Sequence, residues 1–512
     1  MASARRTALG MRDWDKELIK LRENVIATCK KFYRARGASE LDTPVLEQFE
    51  LVKDLYGEEF NKSVYLLDDG DLIMRYDLTV PFARYITMNG LKLFRRYQIG
   101  KVYRRDLPEL SKGRYTEITQ ADFDIVGSDQ NSGIFDMEIL ELASKLIGAL
   151  VGDNFIIRLN DRNILFQYLL QMRIPEDKLL TVSATIDKLD KKSPKEICVE
   201  LAEKKIAPEI IGRIEKFICS IARILDSREK IIAFLEEKYP IEISTILTNV
   251  SKLESVGEIF HELKRNRLNE MLVHVKRVDN SHKIAMGPIM LNYLRSEGLI
   301  AEKIFNEFML MLNRVSKLSI PNVMFDPLLT RGLDYYTGFI FEGYHNDREI
   351  MPSSICAGGR YDNLIGKLAT NGDYPAVGMS VGIERIITIL SDEKELKEAP
   401  PSIQIYVASI SSKDEKEQMN MVDERIKLCN EFRNHNIPTM MSHLMCPKMG
   451  SQMEDVHNNH IPFMIVIGST EIKNKMIRIK NMNKGVADNN LDLPREEGIK
   501  YLIARINGAA SL

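Results

Sequence analysis

At 512 residues the chain is long enough for about two to four domains. Its 44% hydrophobic and 28% charged content is an ordinary globular composition, and a formal net charge of −2 excludes a globally basic nucleic-acid coat while leaving room for local basic patches. No apolar run approaches the roughly 18 residues of a membrane span. Six cysteines, at 29, 198, 219, 356, 429 and 446, form no CxxC pair, so reduced thiols in a cytoplasmic protein are expected. The opening MASARRTALGMRDW carries two arginines but no apolar core of a secretory signal, and is short for a mitochondrial presequence.

Taken in order, Trp14 to Arg36 predicts a helix, with Leu18, Leu21, Val25, Cys29 and Phe32 in an apolar stripe and Gly37 as its stop. ELDTPVLEQFEL is β-like up to Pro44; helix and strand together suit either a subunit interface or plain core packing. Short strands are expected at Tyr65–Leu67 and Asp71–Arg75 around an Asp-Asp-Gly turn. In RYDLTVPFARYI, Asp77 and Thr79 stand at a strand end before Pro81 opens a helix. They are placed either to hold an ammonium group or to cap the helix.

Lys92 to Arg105 is basic and aromatic, and Val102 to Val126 reads as two antiparallel strands joined by a charged loop. Period-two alternation puts Ile118, Gln120, Asp122 and Asp124 on one face and Glu117, Thr119, Ala121, Phe123 and Ile125 on the other. Three amide or carboxylate groups in a row suit the wall of an open polar pocket, or an exposed hairpin's solvated face. Arg104 and Asp106 share a face of the first arm by the same rule. Ser132 to Val151 predicts a serine-capped helix, Phe155 to Leu159 a strand and Asp161 to Met172 a helix.

From about 174 to 320, leucine, isoleucine, lysine and glutamate dominate, with helical periodicity in Lys195–Lys205, Pro208–Asp226, Arg228–Lys238, Ser251–Lys264 and Gly298–Leu318. This predicts a helical insertion in a β-rich domain. Its LDKKSPKE patch at 189–196 reads most simply as a solvated turn, with RNA contact the minor alternative. β character returns at Phe325–Tyr344, with Arg331 before a glycine turn. SSICAGGRYDNLIG sets paired glycines before a helix, where a backbone can approach a ligand. YPAVGMSVGIERIITIL reads as a strand followed by a helix with Arg385 in its first turn, where an anion is favoured.

DEKELKEAPP is a charged, proline-ended linker. IQIYVASI, IPTMMS, PFMIVIG and KMIRIKNM then suggest a compact α/β domain with a largely parallel sheet, carrying the basic cluster Lys473, Lys475, Arg478, Lys480 and Lys484. His443, Cys446, His457 and His460 fit no standard zinc finger, and incidental histidines on a helix surface are the simpler reading.

RYDLTVPFARY, VYRRD with its GRY-bearing loop, TQADFDIVG, RGLDYYTG, AGGRYD and GMSVGIER occur together in the order seen in the histidyl-tRNA synthetases, which this chain resembles over nearly its whole length. The resemblance, to a eukaryote-like form, implies an α+β fold. Its parts are a class II six-stranded antiparallel catalytic sheet with flanking helices, a helical insertion and a C-terminal α/β anticodon-binding domain. The corresponding segments are 1–173 and 321–390 for the catalytic core, 174–320 for the insertion, 391–401 for the linker and 402–512 for the C-terminal domain. The resemblance also implies a homodimer through the region around Pro44, formation of histidyl-adenylate and pyrophosphate from L-histidine and ATP, and transfer of histidine to the 3′ end of tRNA-His. Motif matching makes Arg104, Arg331 and Arg385 the catalytic arginines, with Arg104, Asp106 and Arg385 on ATP. Arg104 would be the α-phosphate arginine and Arg331 would lie near the histidine carboxylate and the α-phosphate; Asp77, Thr79 and Gln120 would meet the ammonium, Asp124 and Tyr336 the imidazole, and Tyr335 and the 357–362 backbone would complete the wall, with Leu78 and Arg104 also among the histidine-binding residues. Mg²⁺ is expected on the phosphates and no metal site on the protein. Asp77, Asp106 and Asp124 stand where other members may use glutamate, which implies a slightly different pocket. A non-catalytic regulatory or tRNA-sensing relative with the same fold would show degraded arginines, which this chain keeps.

Overall fold

The computed structural model describes residues 7–53, 55, 63–67, 70–105, 108–127, 133–190, 192–226, 228–238, 259, 263, 276, 279–330, 335–369, 374–392, 403–412, 414–482 and 490–509. The chain divides into two compact units, Met1–Lys394 and Glu395–Leu512.

In the first unit the strands β1 (Ser39–Glu40), β4 (Phe94–Tyr103), β5 (Glu117–Val126), β10 (Ala376–Gly382), β9 (Cys356–Arg360), β8 (Phe339–His345), β6 (Phe155–Asp161) and β7 (Val323–Phe325) form one sheet in that spatial order. The six from β4 to β6 pair antiparallel throughout, as expected. Each edge gains a short parallel strand, β1 on β4 and β7 on β6, which were not expected. A separate ladder pairs β2 (Leu46–Gln48) with β3 (Leu72–Met74), and Leu66 bridges to Ile73.

One sheet face is closed by two helices. Lys16–Arg34 starts where Asp15 accepts a hydrogen bond from the Leu18 N–H, and it buries Val25, Cys29 and Tyr33. Ile134–Val151 begins after Gly133 in the left-handed region; the expected cap, Ser132, lies outside the described residues. These helices share one apolar core with Ala121, Phe123 and Ile125 of β5, Phe341 of β8 and Val381 of β10. The alternate residues of the same strands therefore face the other way; there a second apolar cluster, with Val80, Phe82 and Ile86 of the helix Thr79–Asn89, Leu364, Ile365, Val126, Ile340 and Ala376, covers part of the sheet and leaves the stretch around Gln120, Asp122 and Asp124 open.

The expected helical insertion contains Leu179–Ile186, Pro194–Glu203, Pro208–Leu225, Arg228–Lys238, Gly287–Ser296 and Glu302–Lys317; Ser251–Lys264 lies, but for residues 259 and 263, outside the described residues. Ile197, Leu201, Ile214 and Phe217 belong to the same core as the sheet, and the Phe217 ring lies 4.5 Å from that of Tyr168. In its lysine-rich patch, Ser193 and Glu196 form a capping box with Pro194 in the first turn. Lys188, Lys192 and Lys204 close on Glu200 at 2.5, 2.7 and 3.0 Å. Hydrogen bonds from these lysines hold the Glu200 carboxyl down to about 2. Lys188 and Lys192 are thus committed within the protein, which favours the structural reading of this patch.

The second unit has a five-stranded sheet in the order β12 (Thr439–Met441), β11 (Ile405–Ser409), β13 (Phe463–Ile467), β14 (Met476–Asn481) and β15 (Asn490–Pro494). β12, β11 and β13 run parallel, while β14 and β15 run antiparallel, so the sheet is mixed rather than largely parallel. β15 escapes sequence detection because only Leu491 and Leu493 alternate inward on an otherwise polar edge. Within the basic cluster, Arg478 pairs with Asp492 across this edge at 2.7 Å; Lys484 lies outside the described residues. Among the described residues no helix is long and apolar enough to cross a membrane, and no three His, Cys, Asp or Glu side chains gather as a metal site.

The paired glycines 358 and 359 lie in β9, just before the helix Asp362–Leu368, as the sequence suggests. A Cβ on Gly358 would meet the Phe341 ring at 2.7 Å. Gly358→Ala should therefore destabilise the first unit by about 1–3 kcal/mol in denaturant unfolding, as overpacking of a closed core does.

Candidate active site

The open face of the sheet holds a cavity of about 270 Å³. Its floor follows from strand register. Gln120, Asp122 and Asp124 on β5 lie opposite Gly382, Ser380 and Gly378 on β10, and Ser380 and Gly378 lie opposite Ala357 and Gly359 on β9. Glycine, alanine and serine leave the space that larger side chains would fill. A Cβ on Gly359 would strike the Tyr336 ring at 2.8 Å, so this glycine admits a wall tyrosine.

The remaining walls come from strand ends and loops. Asp77 caps the helix Thr79–Asn89, its Oδ1 accepting from the Val80 N–H at 3.0 Å, while Tyr335 Oη stands 3.5 Å from its other oxygen. The two readings of Asp77 are therefore compatible: it caps a helix and lines the cavity. Arg104 leaves the end of β4, stacks over Tyr76 at 4.6 Å and donates Nε to the Tyr76 carbonyl at 3.1 Å. Arg385 sits one turn past the end of β10 and donates to the Ser354 carbonyl. Gly113, at φ +66, brings the loop between β4 and β5 against the Arg385 backbone. The side-chain-free left-handed position is what lets the two segments meet.

Asp77, Thr79, Arg104, Gln120, Asp124, Tyr335, Tyr336 and Arg385 line this one cavity. Leu78 does not: its side chain is buried with Val102, Tyr115 and Ile118. Asp106 and Arg331 lie outside the described residues. The cavity also recruits Asp122, Glu342 and Ser380, and Tyr361 from within the expected 357–362 wall.

Arg96, on β4 opposite Asp124, is fully buried beneath the site. Its Nη2 donates to the Leu78 carbonyl at 2.9 Å and lies 2.7 Å from Asp124 Oδ2, an ion pair off the hydrogen-bond axis. Tyr361 Oη donates to the other Asp124 oxygen. Burial pushes the Asp124 carboxyl up, against the opposing pull of Arg96 and Tyr361. Burial, with Asp124 and Asp77 adding to it and Arg96 opposing, brings Asp122 up to about 7. Along β5 the charge therefore changes sign. Asp122 and Asp124 occupy one end, and the arginines follow the strand termini at the Gln120 end. Four residues of strand, about 13 Å, separate Gln120 from Asp124.

Glu384, next to Arg385, is also buried and accepts from the Thr119 N–H at 2.8 Å, tying the helix Ile383–Asp392 to β5. Burial raises its carboxyl from 4.5 to about 7, partly offset by that hydrogen bond.

Two sequence models of protein families match the chain: one described as "Histidyl-tRNA synthetase" over residues 294–386, and one as "Anticodon binding domain" over 404–505. A histidine–tRNA ligase of Danio rerio is 31% identical over 517 residues, covering 96% of this chain and 87% of the relative. A cytoplasmic histidine–tRNA ligase of Arabidopsis thaliana is 34% identical over 486 residues; the match covers 93% of this chain but only 46% of that longer protein. A mitochondrial one from Bos taurus is 31% identical, over 93% of this chain and 84% of its own length. Among solved structures, a histidyl-tRNA synthetase from Nostoc sp. superposes with a TM-score of 0.64 at 21% identity, covering 98% of this chain and 99% of that one, a likeness of fold.

Replacing Arg96 by methionine should cost about 3–5 kcal/mol in denaturant unfolding, because Asp124 then remains buried without its counter-charge. A second expectation concerns pH. A carboxyl raised on folding contributes stability that is full below about 4.5 and lost as pH rises through about 7. Glu384→Gln keeps the acceptor for Thr119 and should remove a fall on the order of 3 kcal/mol over that window, read as the difference between variant and wild-type unfolding curves.

Proposed function

The chain belongs to the histidyl-tRNA synthetase family, and from that premise we propose that it is a working histidine–tRNA ligase. It would activate L-histidine with ATP to histidyl-adenylate and pyrophosphate, then pass histidine to the 3′ end of tRNA-His. The observation that carries this reading is the polarity of one cavity, with the Asp122 and Asp124 carboxylates toward one end of β5, and Gln120 followed by Arg104 and Arg385 at the other. An amino acid laid along the strand presents its ammonium and ring to acceptors and its carboxylate to guanidinium groups.

Attack of a carboxylate on an α-phosphate brings two anions together, so cations and alignment matter more than a protein nucleophile. Arg104 would hold the α-phosphate, with Asp106 beside it on ATP, Arg385 the far end of the nucleotide, and Arg331 the carboxylate and α-phosphate. Asp77, Thr79 and Gln120 would receive the ammonium, with the intervening Leu78 setting the turn that presents the first two. Asp124 and Tyr336 would stand beside the ring, with Tyr335 behind. Mg²⁺ would neutralise phosphate charge on ATP, held largely by the phosphates themselves.

The C-terminal unit supports anticodon contact through its family match and through Lys473, Lys475 and Lys480. Dimerisation is proposed through the β2–β3 ladder next to Pro44, where Leu46, Leu66 and Leu67 are exposed together. Six unpaired cysteines suit the cytoplasm.

Histidine-dependent ATP–pyrophosphate exchange is the test. Wild-type protein should exchange, and Arg104→Ala, Arg331→Ala and Arg385→Ala should each lose about 10²–10³ in kcat, as removal of a transition-state donor does. A wild-type chain without histidine-dependent exchange would overturn the assignment.

A further inference from the structure

Thr7 to Trp14 run ahead of the helix Lys16–Arg34 and contribute no side chain to the cavity. Trp14 packs against the core, whereas Leu9 is 79% exposed. The contacts of this stretch go instead to the loop between β4 and β5. Thr116, on the return of that loop, donates its N–H to the Gly10 carbonyl at 2.9 Å and its hydroxyl to the Leu9 carbonyl at 3.0 Å. Its own carbonyl accepts the Arg104 N–H at 2.8 Å. Gly10, at φ +75, lies so close that a Cβ would meet Thr116 Cγ2 at 2.5 Å and Pro108 Cβ at 2.9 Å, one atom on each limb of the loop. Arg12 continues the seam. Its guanidinium lies 4.3 Å from the Trp14 ring and 5.6 Å from the Tyr115 ring, and it donates to the Tyr115 hydroxyl at 2.7 Å. Tyr115 is buried with Leu78 and Val102, and Arg22 of the following helix lies over Trp14 at 5.2 Å.

Thr116 is therefore held from two sides: Leu9 and Gly10 bind it from outside the loop, and it binds the Arg104 backbone from within. A guanidinium that stabilises a reacting phosphate depends on its placement, and a displacement of about 1 Å costs on the order of a hundredfold in rate. Resting on the ligase reading above, we infer that Thr7 to Trp14 form a strap that sets the position of Arg104 through Thr116, with Gly10 and Arg12 as its positioning residues. Gly10 is bare so that the strap can lie against both limbs of the loop. Arg12 is the clasp, a cation between two aromatic rings. The carboxylate end of the cavity is held by Arg96 and Tyr361 instead, so it keeps its geometry when the strap lifts.

Pyrophosphate exchange by the full chain, well below its melting temperature, tests this. Gly10→Ala and Arg12→Ala should each lower kcat by about tenfold to a hundredfold per folded molecule, with the histidine KM within about threefold of wild type. Arg12→Lys keeps a cation for the rings and a donor for Tyr115, and should recover part of the loss. Trp14 is the one tryptophan of the chain, so a change in its emission at unaltered far-ultraviolet circular dichroism shows the strap lifted from a folded protein. If Gly10→Ala fails to fold, the two Arg12 variants are read alone. A kcat within about twofold of wild type in the folded alanine variants overturns the inference, as does a loss that only matches the fraction unfolded. Failure of this inference leaves wild-type exchange intact, whereas failure of the ligase reading abolishes it.

Discussion

One buried guanidinium makes the acidic end of this cavity possible. Arg96 lies beneath the sheet surface with no exposure, tied to the Leu78 carbonyl and set against Asp124. Charges so deep carry a desolvation cost that only close pairing offsets. With Arg96 in place, two neighbouring carboxylates can sit on one strand face without both needing to be neutral. Because Leu78 directly precedes the helix that Asp77 caps, the same arginine also fixes where that helix begins.

Around this anchor the sheet divides its labour by face. The side toward Lys16–Arg34 and Ile134–Val151 is filled with aliphatic and aromatic groups, and the opposite side carries the charged cavity beside a second apolar cluster around Phe82, Ile340 and Ile365. Arg104 follows the end of β4 and Arg385 stands in the helix turn that follows β10, each held by a backbone carbonyl, of Tyr76 and of Ser354. Their segments are further joined by Gly113 and by Glu384 on Thr119. The helices of the insertion extend the core of the sheet, so that part of the chain stiffens the back of the site instead of standing apart from it.

Much of this was legible from local pattern. The alternation from Glu117 to Val126 reports a two-faced strand, and both faces lie as that period requires. Arg104 and Arg385 stood out because each follows a β-like run. Arg96 did not stand out, since within Phe94–Arg105 it reads as one more surface cation; its burial comes from pairing with Asp124 nearly thirty residues away. Asp122 and Asp124 are visible as members of the polar face, but the partners of Asp124, Tyr361 and Arg96, are ones that alternation cannot supply. The mixed sheet of the second unit was hidden for a related reason. Its edge strand owes its place to cross-strand pairs such as Arg478 with Asp492 rather than to hydrophobicity.

The floor of the cavity has a direction built into it. Gly378 and Gly359 are already at the smallest possible size, with Ala357 and Ser380 close to it. Added atoms there would only make the chamber shallower, and a Cβ on Gly378 would run into Asp124 itself. Selection or engineering toward a bulkier amino acid therefore has no room to dig downward. It must work sideways, through the tyrosines, so that Tyr335, Tyr336 and Tyr361 are the adjustable part of this enzyme and its glycines the fixed one.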